Sequence, residues 1–211
     1  MSEYNSKKAI IFGYSGHAYI VLDILETYKI NVIGYFEQKE QENNPFTLKY
    51  LGIEEEKNLK LISLDTIVFP AVGSNQVRKN LVEIFEKHNL NEIVIHHKSS
   101  ILSSKSTIGK STLISGGAVI NPLVKIGKGC IINTSSVIEH ECNIGDYCHI
   151  APGAVLAGNV TVGNESFVGA NSIIKQGVNI GENVIIGAGS VVLRDIGNNE
   201  VWVGNPAKRI K

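Results

Sequence analysis

Two histidines break the pattern around them, and each has company that could put it to use. His140 is followed directly by Glu141. A carboxylate beside an accessible imidazole can hold the ring and favour its taking a proton, which is the equipment of a general base. His149 stands nine residues on, in a position otherwise given to apolar side chains. The plain alternatives are an ordinary surface histidine at 140 and an interface residue bonding a partner carbonyl at 149. A third group lies near the N-terminus. Gly13-Tyr14-Ser15-Gly16-His17-Ala18 follows the apolar run at residues 8–12 and precedes a helical pattern over residues 19–28. Backbone N–H groups of a glycine turn at a helix start can hold a phosphate. The spacing falls short of the full dinucleotide fingerprint. Glu37 ends the next apolar run, Asn31–Phe36. An acid there often meets a ribose hydroxyl; a solvated loop residue is the equal alternative.

Other reactive side chains read as structural. Cys130, Cys142 and Cys148 all fall in a column of small residues and are expected to pack in the core. His96 and His97 are adjacent, but no third ligand accompanies them at metal-binding spacing, so no metal is expected.

The elements that must carry these groups follow from the period. Every sixth residue from Leu102 to Val192 is Ile, Val or Leu. Neither a helix nor a hairpin series gives period six; a fixed internal repeat of that length is the signature of a parallel β-helix. Two residues before each large aliphatic sits a small or β-branched one, such as Thr112, Ala118, Val124, Cys148, Ala154 and Ser190. Strand side chains alternate, so both columns point inward with one outward residue between them. Gly109, Gly127, Gly145, Gly163 and Gly181 add a period of eighteen, three faces per coil. The expectation is a triangular prism of about five coils, roughly 25 Å tall at about 4.8 Å per rung.

The outward column differs by face. The first carries Leu113, Ile131, His149, Phe167 and Ile185; the second Val119, Val137, Val155, Ile173 and Val191; the third Lys125, Asn143, Thr161 and Asn179. Two oily faces on a lone subunit would be wet, which marks association. Two different apolar faces suit a head-to-tail ring of three, so a homotrimer is expected. His140 occupies a turn slot that elsewhere holds Lys110, Lys128, Asp146, Asn164 and Glu182, which face solvent. Nine residues is half a coil. His140 and His149 of one subunit should therefore lie on different sides of the prism and share a site only across a subunit boundary.

Ahead of the prism the pattern is α/β and Rossmann-like. Residues 39–60 read as a polar loop, 66–72 as a strand ending at Gly73-Ser74-Asn75, 76–88 as a helix and 92–95 as a last short strand. About 95 residues suit one nucleotide rather than a dinucleotide. The expected domains are 1–97 and 98–211.

Composition excludes several classes. The 20 basic and 20 acidic residues cancel, and no basic run suggests nucleic acid or an anionic membrane. No apolar run has the length of a membrane span. The opening Met-Ser-Glu-Tyr-Asn-Ser lacks a signal-peptide pattern, so a cytoplasmic protein is expected.

The hexad repeat with Val203-Gly204-Asn205-Pro206-Ala207-Lys208-Arg209 after the last coil resembles the hexapeptide acyltransferases. Phe12-Gly13-Tyr14-Ser15-Gly16-His17-Ala18 together with residues 133–142, which run from Asn133 to Cys142, resembles the subfamily that acetylates amino sugars on nucleotide carriers, with sialic acid O-acetyltransferases as cousins. The resemblance implies a left-handed parallel β-helix, a trimer, acetyl-CoA as co-substrate and a nucleotide-linked amino sugar as acceptor. It implies His140 as general base with Glu141 as its partner. Ser15, Gly16 and His17 would hold the nucleotide-sugar, with Gly73 and Glu37 on the nucleotide. His149, Ala170 and Ala188 would line the acetyl-CoA groove. The subfamily often shows two acidic residues after the second strand, where this chain has Glu37-Gln38. The implied activity is N-acetylation of a 4-amino-4,6-dideoxy sugar on UDP or dTDP. A sugar O-acetyltransferase and a non-catalytic carbohydrate-binding scaffold are the competing readings; the turn-slot pair His140-Glu141 argues against the scaffold.

Overall fold

The computed structural model describes residues 7–211. Residues 1–6, on which part of the leader reading rests, lie outside the described residues. The chain divides into two compact units, the first ending at Ile95 and the second running from His96 to Lys211.

The first unit is built on a parallel sheet. Its strands are β1 (Lys8–Phe12), β2 (Asn31–Phe36), β3 (Ile67–Pro70) and β4 (Asn91–Glu92), in the order β2-β1-β3-β4. Helices α1 (Gly16–Thr27), α2 (Glu56–Leu59) and α3 (Asn75–Lys87) connect them. Apart from the two-residue β4, the strands are short and mainly apolar, as strands covered on both faces must be. Ile10, Phe12, Phe36, Val68, Leu81 and Phe85 form one core cluster. The chain leaves β1 for one neighbour and returns on its other side at β3. The order therefore reverses between β1 and β3, and their carboxyl ends open a crevice.

Residues 39–60 are not the free loop the sequence suggests. Tyr35 N–H donates to Lys49 O and Leu51 N–H to Tyr35 O, both at 2.9 Å, so residues 49–51 add to the edge of β2. Leu59 of α2 is buried in the core cluster. The short apolar stretch Tyr50-Leu51 was the signal, hidden by charged flanks.

The second unit is a parallel β-helix. The polar face stacks Thr107, Lys125, Asn143, Thr161 and Asn179; the second face stacks strands from Ile101–Leu102 to Val191–Val192; the first face stacks Leu113, Ile131, His149, Phe167 and Ile185. Six rungs on the second face exceed the expected five coils. His97 N–H already bonds Ile114 O at 2.8 Å, so winding begins before residue 102. Val201–Val203 and Lys208–Arg209 close the far end beyond Ile185–Ile186.

The inward columns hold. Ile114, Ile132, Ile150, Val168 and Ile186 are all fully buried, as are Thr112, Cys130, Cys148 and Ser166. Burying such an aliphatic side chain contributes about 1.5–3 kcal/mol, so the column rather than the two-residue strands carries the stability. The small column has a second task. Thr112, Cys130, Cys148 and Ser166 donate to the carbonyls of Gly127, Gly145, Gly163 and Gly181, at 3.0, 3.1, 3.1 and 2.8 Å. Corner carbonyls that turn inward would otherwise be unpaired. The cysteines thus pack as expected, and burial pushes the Cys142 thiol above its ordinary range.

The corners differ in detail from the sequence reading. Every sixth residue from Ser111 to Gly189 has positive φ, with Leu123, Glu141 and Asn159 among them. The eighteen-residue glycines are required for a different reason: a Cβ on Gly109 would fall 2.5 Å from Lys128 N, so there the stacked backbones approach too closely for a side chain. The outer faces also need correction. Leu113 and Ile131 are already buried within the single chain, so the first face is not oily and wet along its length. The exposed large apolar side chains of this unit are Ile101, Leu123, Ile173, Ile185, Leu193, Val203 and Ile210.

Candidate active site

His140 sits at the corner between the strands Val137–Ile138 and Asn143–Ile144. Its carbonyl accepts Asn159 N–H at 2.8 Å, which ties the corner to the next coil. Glu141 occupies the left-handed position, φ 63°, and its N–H donates to Pro122 O at 3.1 Å. That conformation brings the carboxylate back to the ring: Nδ1 of His140 lies 3.0 Å from Oε2 of Glu141. Both side chains are more than half exposed, at 53% and 57%. The carboxylate accepts only, so neutral His140 carries its proton on Nδ1 and keeps the lone pair on Nε2. The Nε2 side of the ring is thus left open to solvent.

One residue of this corner went unread in the sequence. A Cβ on Gly158 would lie 2.5 Å from Cε1 and 2.6 Å from Nε2 of His140. The bare backbone of Gly158 is therefore the seat of the imidazole. The signal was present, because residue 158 stands one eighteen-residue coil beyond 140.

His149 lies on the first face, which is across the prism from that corner. Its Nε2 is 3.2 Å from Nδ2 of Asn133, and its ring meets Phe167 edge-on at 5.0 Å. Asn133 Oδ1 accepts Thr134 N–H at 2.8 Å, which fixes the amide. Nδ2 then faces the ring as a donor, so Nε2 of His149 accepts and the neutral tautomer bears its proton on Nδ1. Ala170 and Ala188 occupy the corner slot that follows the same face, Ala170 half-buried and Ala188 exposed. Within one chain, then, His149 lies on the first face and Ala170 and Ala188 at the corner after it, whereas His140 with Glu141 holds a different corner, between the second and third faces. His97 has a local role: its Nδ1 takes Ser99 N–H at 3.0 Å and lies 2.7 Å from Ser99 Oγ.

The residues expected to hold a nucleotide follow the strands β1, β2 and β3 of the first unit. Helix α1 starts at Gly16, three residues earlier than the apolar pattern indicated, which makes Ser15 its N-cap residue. Ser15 and Gly16 are exposed and His17 is half-buried in the first turn. Gly73 follows β3, and Ser74 caps α3 by accepting Val77 N–H. Two helix N-termini thus flank the crevice, each turning the positive end of its dipole toward it. Glu37 closes one side: its two oxygens accept Tyr14 N–H at 3.1 Å and Gln38 N–H at 2.9 Å. A cavity of about 70 Å3 lies here, among Gly13, Glu37, Gln38, Glu54 and Val72. Two larger cavities of the unit, about 330 and 540 Å3, lie away from the glycine turn and both helix starts.

Arg78 is the second residue the sequence reading missed. It is 1% exposed, and its guanidinium donates to Val72 O at 3.3 Å, Gly73 O at 3.0 Å and Asn75 Oδ1 at 2.8 Å. It fastens the loop after β3 and puts a buried cation under the crevice. Burial, with a smaller contribution from the Arg78 charge, pushes the His17 imidazole down to about 4. His17 is therefore neutral near pH 7. The signal for Arg78 was a charge on the apolar stripe it shares with Leu81, Val82 and Phe85.

Residues 8–85 match the PglD N-terminal domain model. Residues 123–158 match the bacterial transferase hexapeptide (six repeats), and 159–194 the hexapeptide repeat of succinyl-transferase. Among curated proteins no sequence match was found. PerB from Caulobacter crescentus, solved with CoA and GDP-perosamine, is 30% identical; the match covers 98% of either chain with a TM-score of 0.90. The acetyltransferase domain of PglB from Neisseria gonorrhoeae, solved with acetyl coenzyme A, is 26% identical over 97% of this chain and 99% of its own, TM-score 0.91. WeeI from Acinetobacter baumannii, 22% identical over 97% and 100% of the two chains with a TM-score of 0.87, shares the fold. Among the described residues no helix is long and apolar enough to cross a membrane.

Proposed function

The chain belongs to the hexapeptide-repeat acyltransferases that carry a PglD-type N-terminal domain, and on that premise we propose that it moves the acetyl group of acetyl-CoA to the 4-amino group of a nucleotide-linked 4-amino-4,6-dideoxy sugar. Its solenoid is the left-handed parallel β-helix of those enzymes. The observation that carries the reading is the His140 corner: a solvent-open Nε2, a proton held on Nδ1 by Glu141 and a seat that only glycine permits. Relatives solved with acetyl coenzyme A and with GDP-perosamine support the two substrate classes.

The chemistry is direct transfer. A protonated amine has no lone pair, so one proton must leave before nitrogen attacks the thioester carbonyl. Nε2 of His140 accepts one of the amine's two protons as the N–C bond forms, the other staying on the amide nitrogen, and Glu141 steadies the imidazolium. The C–S bond then breaks, and the imidazolium returns a proton to the departing thiolate. Holding both substrates together supplies much of the rate.

The protein works as a homotrimer in this reading. His140 and Glu141 are on one edge of the prism, whereas His149, Ala170 and Ala188, assigned here to acetyl-CoA, are on another. A seam between neighbours joins both sets, and Ile173 and Ile185, about half exposed, are the apolar residues for that contact. In the first unit Ser15, Gly16, His17 and Gly73 take the diphosphate at the two helix starts, with Arg78 as the charge beneath. The lone pairs left on Glu37 are available to a ribose hydroxyl.

Thiol release from acetyl-CoA, followed with a panel of nucleotide-linked amino sugars and with hydroxyl acceptors of the sialic acid type, tests the proposal. Turnover with an amino sugar is expected. Turnover with hydroxyl acceptors alone would move the chain to O-acetylation, and none at all would leave a scaffold.

A further inference from the structure

We infer that Glu54, together with Gln38, reads the base of the carrier nucleotide, and that this base is guanine. The inference rests on the reading that the crevice of the first unit holds a nucleotide. Its floor is apolar, from Phe12, Phe36 and Leu81, and its rim is formed by Glu37, Gln38 and Glu54. Glu37 stands where an acid meets ribose, but it is tethered. Both of its oxygens hold backbone N–H groups of the turn, at 3.1 and 2.9 Å, and it cannot swing toward a base.

Glu54 is differently placed. It arrives from the segment laid along β2, and one oxygen accepts Nε2 of Gln38 at 2.8 Å. Glu54 lines the crevice, and a carboxylate that accepts one bond keeps further lone pairs on both oxygens. With Nε2 turned to Glu54, the Gln38 amide adds its own oxygen to the rim. The rim is therefore dominated by acceptors.

A rim of acceptors selects a base by its donors. Guanine presents N1–H and its N2 amino group side by side, which match the two oxygens of a carboxylate. Uracil and thymine present one N–H between two carbonyls, so a carboxylate in that plane meets an opposing oxygen. Adenine and cytosine set one amino group beside an acceptor nitrogen. Guanine alone satisfies both carboxylate oxygens, and leaving such an acceptor unpaired is what makes discrimination steep.

Calorimetric titration of the full chain with GDP, UDP and dTDP, each alone, tests this. GDP should bind about tenfold or more tighter than UDP or dTDP. In Glu54→Gln the amide oxygen keeps the bond to Gln38, so melting should not change. Its new donor complements a uracil carbonyl, and the GDP-to-UDP ratio should fall by about tenfold. If that variant melts early, Gln38→Ala carries the test, with GDP binding weakened and UDP binding little altered. UDP or dTDP binding as tightly as GDP to the wild-type chain, or an unchanged ratio in both variants, would overturn the guanine assignment and leave the nucleotide-sugar reading standing. No binding by any of the three would overturn both.

Discussion

The solenoid and the α/β unit position their polar groups by opposite means. In the solenoid each residue's surroundings are given by its place in the repeat: His140 stands over Gly158 because those positions are one coil apart, and Cys148 bonds Gly163 O as Thr112, Cys130 and Ser166, its stacked neighbours, bond theirs. In the α/β unit nothing repeats. Glu37, Gln38 and Glu54 meet because residues 49–51 run along β2, and Arg78 holds the loop after β3 by three separate acceptors. The contrast teaches that a regular scaffold displays function as an exception to a pattern. An irregular one builds it from contacts that no local pattern announces.

The largest effect that would break the comparison is at the corner itself. His140→Ala should lower turnover by about 10² or more with melting unchanged; steady-state kinetics within a few fold of wild type would remove residue 140 from the chemistry. Gly158→Ala comes next. Its Cβ must displace the ring, so turnover should fall about tenfold or more while the β-helix stays folded. Equal activity would mean that the seat is not needed.

Cys148 tests whether the column bonds matter. Cys148→Ser keeps a donor for Gly163 O, whereas Cys148→Val fits the column but leaves that carbonyl unpaired. The valine variant should lose about 1–3 kcal/mol in denaturant unfolding and the serine variant much less. Equal losses would reduce the column to packing alone.

The smallest effect belongs to the irregular unit. His17 has a folded-state value of about 4, below the ordinary 6.5, because of burial and then Arg78. Between those values the unfolded chain binds more protons, so the contribution of His17 is whole above pH 6.5 and is lost as pH falls toward 4. Protection of the β1 amides, taken relative to the intrinsic exchange rate at each pH, should fall as pH falls through that window, and His17→Gln should flatten the change. A window unaltered in that variant would assign the pH response to other groups.

The sequence was most legible where the physics repeats. The aliphatic at every sixth position gave the prism, its faces and the turn slot of His140, because a period of six survives any choice of side chain at the outer positions. It overstated the wet apolar surface, since outward position does not reveal that Leu113 and Ile131 are covered in the same chain. The glycine turn and Glu37 were legible as types, but the start of α1 was set three residues late: Gly16 and His17 interrupt the apolar pattern without stopping the helix. The meeting of Gln38 with Glu54 was out of reach, because sixteen residues of mostly polar chain separate them.

The stacked rungs carry one more consequence. Each winding advances the prism by about 4.8 Å, so the span from the His149 rung to the closing strands at Val201–Val203 comes only in whole steps. In the proposed trimer, a thread-like co-substrate lying along the seam would be measured against that staircase. Adding or deleting eighteen residues above His149 would leave the chemistry in place and change only the length of thread the seam accommodates.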